Sequence, residues 1–588
     1  MASLPTPNAP TSTCYTRQSS YHFFAKTPNS VPSIKNRNAL LNVSCKAIDD
    51  DQKPTPNPRI DRRNLLIGLG GLYSAANLNI SDPHAFAAPI EAPDMTKCGP
   101  ADLPEGAEPT NCCPPMASPT ILDFKLPPAS KKLRVRPAAH LADKNYTEKY
   151  KKAIELMKAL PADDPRNFTQ QANVHCAYCD GAYDQVGFPD LELQVHLSWL
   201  FFPFHRAYLY FFEKICQKML NDPTFAMPYW NWDAPGGMQL PAMYADPNSP
   251  LYDILRDANH QPPAMLDLDF NGTDAVITNQ EQINQNLTIM YRQMVSNSNS
   301  AQLFHGMPYR AGDQPDLGGG SLEGVPHGPV HLWSGDRTQP NFENMGNFYS
   351  AGRDPLFYAH HSNCDRMWSI WKTLGGRRQD FTDPDWLNAS FLFYDESAQL
   401  VRIKVKDTLD SAKLGYTYQN VQIPWLKSRP TPRVSAPVKK LQKLGVANAA
   451  DAPSPKDVLP ATLEKTLRFM VKRPTKKRSK KEKDEKEEVL VIEGIEVDTD
   501  VFAKFDVFIN DEDDPKSAPD KSEFAGSFVN VPHKHKSSKK IKTKLRLAIT
   551  EVMEDLDTEG DEHIMVTLVP KNNGGRVTIG GIKIELVD

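Results

Sequence analysis

The first 47 residues of the chain contain no aspartate and no glutamate. Serine and threonine are frequent there, and basic residues are scattered at Arg17, Lys26, Lys35, Arg37 and Lys46. A folded domain is not expected from such a segment, and its composition is typical of a plastid or mitochondrial transit peptide. We therefore predict a transit peptide over residues 1–47; the alternative is a disordered tail that happens to be poor in acidic residues.

A long hydrophobic run is also missing. The apolar stretch within DRRNLLIGLGGLYSAANLNI is too short and too rich in glycine for a good membrane span. The paired Arg62 and Arg63 before it, and the small residues of AFA at 85–87, are typical of a twin-arginine export signal over residues 48–87. Two signals in series imply two membranes crossed, by way of the twin-arginine export machinery. The predicted destination is the thylakoid lumen of a chloroplast.

The chain has no strong excess of charge. Its 68 basic and 72 acidic residues leave a net charge of −4, which gives no reason to expect nucleic acid or an anionic membrane as partner. The segment KRPTKKRSKKEKDEKEE is locally basic, but acidic residues follow directly. We interpret it as a solvated loop and not as a nucleic-acid site.

Cysteine is sparse, yet the residues present are clustered. Seven cysteines follow residue 87, and those nearest to it suggest disulfide bonds, which need an oxidising compartment. Cys112 and Cys113 are adjacent and bond poorly to each other, so each is expected to pair elsewhere. An odd total leaves at least one thiol over, and the spacing alone does not assign the connectivity.

Two folded regions are predicted, joined by a proline-rich stretch. Residues 88–425 begin with a proline-rich arm and continue with helical patterns, including the long apolar stretch LELQVHLSWLFFPFHRAYLYFFEKICQKML. We interpret that stretch as buried helix, broken or restarted near Pro203. Residues 426–461 are rich in proline and small residues and are predicted to be a linker. Residues 462–588 contain short strand-like runs and are predicted to form a small β-sandwich.

Six of the 15 histidines fall into two groups, His175, His196 and His205, then His327, His331 and His361. His327 and His331 are four residues apart, so both imidazoles of that pair can reach one ion from one helical face. Each histidine alone is more simply a core residue, but six in two aromatic-flanked triples favour a metal. Imidazole ligands suit copper, zinc or iron. Zinc is redox-silent, and the lack of a carboxylate at facial-triad spacing makes non-haem iron less favourable. Copper can accept and donate electrons, but the spacing alone does not name the metal.

At these motifs the sequence resembles the plant polyphenol oxidases, or catechol oxidases, which are relatives of tyrosinases and haemocyanins. The resemblance covers nearly the whole chain. It rests on NVHCAYCDGAY, ELQVHLSWLFFPFHRAYLYFFE, PYWNWD, PHGPVHLWSG and DPLFYAHHSNCDRMW. The histidine spacings of 21 and 9 residues in the first triple, and of 4 and 30 in the second, are similar to those of the family.

The resemblance implies two copper ions in a mainly α-helical catalytic domain. His175, His196 and His205 would hold the first ion, and His327, His331 and His361 the second. Of the adjacent His360 and His361, the family pattern favours His361 as the ligand. Asp365, four residues later, would orient the helix or a ligand from outside the metal's own shell.

The resemblance also implies covalent links. Cys179 would form a thioether with His196, which accounts for an odd thiol. The disulfides would be Cys98–Cys113 and Cys112–Cys176, with Cys216 and Cys364 left as core thiols.

Three further positions are implied to act at the copper pair. Phe348 matches an aromatic gate over the second copper, and Glu323 matches a glutamate that holds a water and could accept a phenol proton. Gly328, directly after His327, departs from efficient tyrosinases, in which asparagine is common at this position. This departure favours diphenol oxidation and makes monophenol hydroxylation weak or absent.

The resemblance implies oxidation of o-diphenols to o-quinones with reduction of O2 to water. The C-terminal sandwich would shield the site in a latent proenzyme until a protease cuts the linker. Tyr416 or Tyr418 would stack on Arg134 or Arg136 at the end of the catalytic domain. Two alternatives stay open, a haemocyanin-like oxygen carrier and a plastid interaction protein that has lost its copper.

Overall fold

The computed structural model describes residues 88–432, 452–510, 518–536 and 538–588. The predicted transit peptide at 1–47 and the predicted export signal at 48–87 lie outside the described residues. Residues 433–451 of the predicted linker do so as well.

Residues 88–432 are mainly helical. The principal helices are α1 (Lys144–Lys158), α2 (Phe168–Cys179), α3 (Phe201–Leu220), α4 (Asn279–Tyr291), α5 (Gly328–Ser334) and α6 (Leu356–Trp371). Shorter α-helical segments are Ala301–His305, Phe348–Ala351 and Pro384–Asn388, and π-helical turns are Arg292–Ser296 and Glu323–His327. Single 3-10 turns are Met95–Lys97, Ala139–Leu141, Pro235–Gly237, Ala242–Tyr244, Ala258–His260, Val405–Asp407 and Pro424–Lys427.

Helix α1 shows how the local sequence sets these elements. The Asp143 carboxylate accepts a hydrogen bond from the backbone N–H of Tyr146 at 2.7 Å and caps the helix start. Tyr150, Ile154 and Met157 follow at helical spacing, and all three are buried. One face of α1 therefore packs inward, against α3.

The long apolar stretch is helical only in its second part. A short strand that begins at Phe188 ends at Glu192, residues 193–200 contain no helix, and α3 begins at Phe201. Pro203 lies in the first turn of α3, where proline is tolerated because its missing N–H has no helical partner. The prediction of helix before Pro203 was wrong, and His196 lies on a buried loop.

Short strands tie the edges of the helical region together. They are β1 (Ile121–Asp123), β2 (Arg134–Arg136), β3 (Asp184–Gln185), β4 (Phe188–Glu192), β5 (Ser390–Tyr394), β6 (Leu400–Lys404) and β7 (Tyr416–Tyr418). Strand β6 pairs with both β1 and β5, β3 pairs with β4, and β2 runs parallel to β7. The β2–β7 pair joins the start of the region to its end.

A buried ionic cluster lies behind α6. The Asp365 carboxylate accepts hydrogen bonds from the Tyr416 hydroxyl at 2.6 Å and from the Arg136 guanidinium at 3.2 Å, and it also pairs with Arg206. The Arg136 guanidinium carbon lies 3.8 Å from the centre of the Tyr416 ring. The predicted arginine–tyrosine stack is thereby confirmed, and Arg136 and Tyr416 are the pair that forms it. Through these contacts Asp365 joins α6 to α3 and to the β2–β7 pair.

The C-terminal residues form two packed sheets. The strands are β8 (Ala461–Thr462), β9 (Leu467–Lys472), β10 (Glu487–Asp498), β11 (Ala503–Ile509), β12 (Phe524–Asn530), β13 (Lys540–Ala548), β14 (His563–Asn572), β15 (Val577–Ile579) and β16 (Gly581–Val587). One sheet has the order β13-β10-β15-β8 with β16 also on β10, and the other has the order β12-β11-β14-β9. Their facing apolar side chains form one core, so the predicted β-sandwich is confirmed.

Some segments of the C-terminal part differ from the prediction. The basic segment expected to be a solvated loop contains a short helix, Lys480–Glu485, because Ser479 and Glu482 cap its start reciprocally. Other short helical segments are Pro455–Val458 and Thr550–Asp555, with a 3-10 turn at Gly574–Arg576. In the described first part of the predicted linker, Arg429 pairs with Asp555 at 2.7 Å, so this part packs on the sandwich.

None of the helices in the described ranges combines the length and the apolar character that crossing a bilayer requires.

Candidate metal centre

The first histidine group meets in the middle of the helical region. His175 projects from α2, His205 from α3, and His196 from the loop before α3. Their ring centres are 5.1 Å (175 to 196), 5.2 Å (196 to 205) and 5.7 Å (175 to 205) apart, so the imidazoles form a nearly equilateral triangle. All three side chains are buried.

The second group forms a similar triangle. His327 ends a π-helical turn, His331 lies one helical turn later on α5, and His361 projects from α6. Their ring centres are 4.6 Å (327 to 331), 5.0 Å (327 to 361) and 5.3 Å (331 to 361) apart. These residues are buried too.

The two triangles face each other. The rings of His205 and His361 lie parallel with centres 4.0 Å apart, and the rings of His196 and His327 are stacked at 6.0 Å. Two ions bound in the triangles would therefore be neighbours in one pocket.

Hydrogen bonds orient the imidazoles of the first group. Each Nδ1 atom lies close to an oxygen: the Phe348 carbonyl for His175 at 2.7 Å, the Phe201 carbonyl for His205 at 2.8 Å, and the Gln194 side chain for His196 at 3.2 Å. Because a carbonyl oxygen only accepts, Nδ1 carries the proton and Nε2 offers a lone pair. All three Nε2 atoms are buried without a hydrogen-bond partner. This pattern is typical of metal-binding histidines.

Two histidines of the second group are oriented in the same way, whereas the Nδ1 atom of His361 is buried without a hydrogen-bond partner. The Nδ1 atoms of His327 and His331 lie 3.0 Å and 2.7 Å from the carbonyl oxygens of Glu323 and Met345. The Nε2 atoms of His331 and His361 are 3.1 Å apart. A bound cation between them would attract both lone pairs.

Burial keeps these imidazoles neutral. It lowers the pKa of His175 to about 3 and that of His331 to about 4, and it lowers the pKa of the other four as well. The neutral ring is the form that binds metal ions.

His360 and His361 have different surroundings. The Nδ1 atom of His360 accepts a hydrogen bond from the Trp232 indole at 3.1 Å, and its ring stacks on His327. His361 instead lies between the two triangles, stacked on His205. Although His360 is close enough to share the second cluster, this placement favours His361 as the ligand.

Glu323 and Phe348 both lie at the pocket. The Oε1 atom of Glu323 accepts a hydrogen bond from the Leu197 backbone N–H at 2.6 Å, whereas Oε2 is buried without a partner. Burial raises the pKa of this carboxyl well above its usual range. The Phe348 ring stacks on His196, with centres 4.1 Å apart. Phe348 therefore contacts the first histidine group, whereas its predicted place was over the second.

The C-terminal sandwich covers this pocket. Val529 of β12 and Val531 just after it pack into the core of the helical region and not into the core of the sandwich. A Cβ atom on Gly328 would come within 3.3 Å of a methyl group of each. Elsewhere on the interface, Asp269 accepts a hydrogen bond from Ser527 at 3.0 Å and pairs with Lys504 at 3.0 Å. The covered pocket fits a latent form.

The cysteines are arranged as follows. The structure joins Cys98 to Cys113 and Cys112 to Cys176, with Cα–Cα distances of 5.8 Å and 5.6 Å. These are the pairs that the resemblance implies, and both distances are ordinary for disulfides. The remaining buried cysteines of the described residues, Cys179, Cys216 and Cys364, are in no disulfide.

Sequence reasoning missed a third cluster. His533 and His535 of the C-terminal part lie beside Asp316, with one possible ligand atom from each within 4.8 Å of the others. The HKH pattern, which places two imidazoles on one side of an extended segment, is the signal that could have found it. The sequence did not indicate that Val529 and Val531 cover the pocket. The alternation of apolar residues in a strand predicts a buried face, but it does not predict which surface that face packs against.

A helical bundle that encloses two facing triangles of buried imidazoles defines a dinuclear metalloprotein. Family models agree with this class. The common central domain of tyrosinase matches residues 165–374, the polyphenol oxidase middle domain matches 380–431, and the chloroplastic polyphenol oxidase C-terminal domain matches 459–586.

Similar proteins are known over nearly the full length. A chloroplastic polyphenol oxidase of Malus domestica is 65% identical over 93% of this chain and 93% of its own length. A (+)-larreatricin hydroxylase of Larrea tridentata is 55% identical over 95% of this chain and 97% of its own. The solved structure of latent apple tyrosinase has a TM-score of 0.75 at 63% identity and covers 80% of this chain and all (100%) of that one.

The chain belongs to the plant polyphenol oxidases of the tyrosinase family. It is a copper-dependent oxidoreductase with two copper ions, and it is a chloroplast protein made in a latent form. The donor set fits copper, because each triangle presents three neutral imidazoles in a buried aromatic pocket.

Proposed function

We propose that this enzyme oxidises o-diphenols to o-quinones and uses the electrons to reduce O2 to water. Its six proposed copper ligands are His175, His196, His205, His327, His331 and His361. The bound copper pair supplies two-electron exchange with O2 and with the phenol. Balance requires two diphenols for each O2, because reduction of O2 to water takes four electrons and each diphenol gives two.

The chain's own residues bind and orient the substrate. The aromatic ring of Phe348 lies flat against His196 at the pocket. In this proposal a phenol ring enters where Val529 and Val531 lie in the latent form, since these residues cover Gly328. We therefore assign Phe348 the role of a stacking and gating surface. The buried surroundings exclude water from the reacting atoms.

Glu323 is the proposed proton acceptor. Its buried Oε2 atom has no partner, and burial raises the pKa of its carboxyl. A carboxylate with a raised pKa accepts a phenolic proton more readily than an ordinary one does. Leu197 holds the other oxygen, Oε1, in place.

Gly328 makes monophenol hydroxylation the weaker activity in this proposal. Glycine offers no side-chain amide to help Glu323 hold a water or a phenol, so a diphenol with two acidic hydroxyls is the better substrate. Strong monophenol hydroxylation is the second candidate. Two relatives favour it by name, the apple tyrosinase and the larreatricin hydroxylase.

We also propose how the protein reaches and leaves its latent state. The segment 48–87 would direct it through the twin-arginine machinery to the thylakoid lumen. There the domain at 462–588 shields the catalytic domain at 88–425 until a protease cuts the linker at 426–461. Its composition and position support this site, because a proline-rich segment joins two separately packed cores.

Cys179 is proposed to form a thioether with His196. The thiol is buried and in no disulfide, so it is protected from other partners. The new carbon–sulfur bond would replace the S–H bond and one ring C–H bond, with release of two protons and two electrons, and bound copper with O2 would supply the two-electron oxidant. The bond would fix the otherwise loop-borne His196.

The observation that carries this proposal is the pair of facing imidazole triangles. The test compares catechol and tyrosine oxidation by the copper-loaded chain before and after cleavage in the linker. We expect fast O2 uptake with catechol, slow uptake with tyrosine, and a large gain on cleavage. Reversible O2 binding without quinone formation would indicate a carrier instead.

A further inference from the structure

The third cluster of possible metal ligands lies where the C-terminal domain meets the catalytic domain. His533 and His535 lie on the segment that follows β12, and Asp316 lies on a loop of the catalytic domain. All three side chains are buried. The two domains thus contribute different members of one cluster.

The ring nitrogens of the cluster converge. The Nε2 atom of His535 is 2.6 Å from an Asp316 carboxylate oxygen and 3.2 Å from the Nε2 atom of His533. Two ligands of a tetrahedral zinc ion, at bond lengths of about 2.0 Å, are about 3.3 Å apart. A similar separation, 3.1 Å, is found between the Nε2 atoms of His331 and His361 in the proposed copper centre.

Neighbouring groups orient these histidines as ligands. The Nδ1 atom of His533 lies 2.7 Å from the Val531 carbonyl oxygen, so it donates its proton there and leaves Nε2 free to bind. The Nδ1 atom of His535 contacts the Glu192 carboxylate. A carboxylate behind a histidine is a common support of metal ligands.

The buried carboxyl groups of the cluster also suit a cation. Asp316 and Glu192 are buried carboxylates, and Oδ1 of Asp316 has no hydrogen-bond partner. Burial lowers the pKa of His533 and of His535 to about 4 and raises that of Asp316 to about 8. Near pH 7 the two rings are therefore neutral, and a bound cation would displace the proton of the Asp316 carboxyl. Among the described residues, no lysine or arginine forms an ion pair with Asp316. A divalent ion would compensate both carboxylates.

We propose that Asp316, His533 and His535 form a third metal site, for a divalent ion such as Zn²⁺, which holds the C-terminal domain on the catalytic domain. The donor set of two imidazoles and a carboxylate is one that zinc prefers. His533 also stacks on Phe348, with ring centres 4.9 Å apart. The ion would therefore fasten the segment that closes the phenol pocket.

This site couples metal binding to latency. Because its ligands come from both domains, the ion binds the docked form and not the opened one, and it shifts the population towards the docked form. The metal count does not rest on the proposed function of the enzyme; only the effect on activation does.

The test uses the full-length, copper-loaded chain, incubated with one equivalent of Zn²⁺ and then desalted. Metal analysis should find about one zinc per chain with the copper content unchanged. Asp316→Asn and His535→Gln should each lose that zinc, whereas His563→Gln, at an exposed histidine of β14, should keep it. Equal unfolding temperatures without zinc establish that the variants fold. If His535→Gln does not fold, the zinc content of Asp316→Asn alone decides the test.

A second measurement addresses the fastening. Zinc should raise the detergent concentration needed to activate the wild-type chain, and should leave that of Asp316→Asn unchanged. The proposal is overturned if the wild-type chain holds no zinc, or if Asp316→Asn and His535→Gln retain as much as His563→Gln does. Zinc retention with no change in activation would leave a metal site that does not fasten the domains, and would contradict that half of the proposal.

Discussion

The imidazole of His533 lies against the ring of Phe348, with centres 4.9 Å apart and planes inclined by 21°. Phe348 also contacts the rings of His196 and His175, so only the Phe348 ring separates His533 of the C-terminal domain from the first histidine triangle. The C-terminal domain therefore covers the metal centre by direct contact with Phe348, the residue at its entrance.

Weakening this contact should activate the uncut chain. Val529 packs into the core of the catalytic domain, so Val529→Asp disrupts docking without opening the core of the sandwich. Loss of a buried valine contact is worth about 1.5 to 3 kcal/mol, and a buried carboxylate adds to this cost. Catechol oxidation by the full-length variant should rise about tenfold or more.

The control for this variant is Val458→Asp. Val458 is exposed on the short helix that precedes the first strand of the sandwich. It should leave the latent activity unchanged. Equal activities of Val529→Asp and wild type before cleavage would contradict the account of how the site is closed.

Gly328 is expected to limit monophenol hydroxylation. In the cleaved enzyme, Gly328→Asn should raise the ratio of tyrosine to catechol activity several-fold, because the amide can help Glu323 hold a water. In the full-length chain the new side chain meets Val529 and Val531, so it should also weaken docking. Gly324→Asn is the control, since a Cβ atom there meets nothing within 4 Å. An unchanged ratio in the cleaved Gly328→Asn enzyme would refute this role.

The ligand assignment is tested by metal content. His331→Ala should abolish turnover and remove about one copper per chain, because one triangle loses a third of its donors. His361→Ala should behave in the same way. His360→Ala should keep both ions, since the Nδ1 atom of His360 is already bonded to Trp232. Copper analysis of the three variants decides which histidines are ligands. Loss of copper from His360→Ala alone would show that His360, and not His361, binds the ion.

The thioether predicts a mass deficit. Copper-loaded enzyme that has turned over in O2 should weigh two hydrogen atoms less than the protein with a free Cys179, measured with the disulfides reduced. Cys179→Ser should show no deficit, and Cys216→Ser, at a second buried thiol, should show the same deficit as wild type. Peptide mapping should place the link at His196. A wild-type mass equal to the formula mass would exclude the bond.

The Asp365 cluster should matter for stability. Arg136→Met leaves the buried carboxylates of Asp365 and Glu213 without one of their cations. Breaking a buried pair in this way costs about 3 to 5 kcal/mol. Arg402→Met breaks only the exposed pair with Asp123 and should cost about 1 kcal/mol or less. Denaturant unfolding of the two variants should separate them, and similar losses would contradict the importance assigned to the buried cluster.

Sequence patterns predicted more of the metal centre than of the contacts by which the C-terminal domain covers it. The four-residue spacing of His327 and His331 predicts a shared helical face, and the turn-separated strands after residue 461 predict a sandwich. His196 was placed on a helix, because an apolar run alone does not distinguish a buried loop from a buried helix. The contact of Val529 and Val531 with Gly328 joins segments about two hundred residues apart, and no local pattern encodes such a pairing.

The most direct test of the central claim measures O2 consumption and quinone formation together, in the cleaved, copper-loaded enzyme with catechol. We expect protein that carries two copper ions to form two quinones for each O2 consumed. Protein that holds this copper pair yet consumes no O2 with any diphenol, or consumes it without forming quinone, would contradict the account.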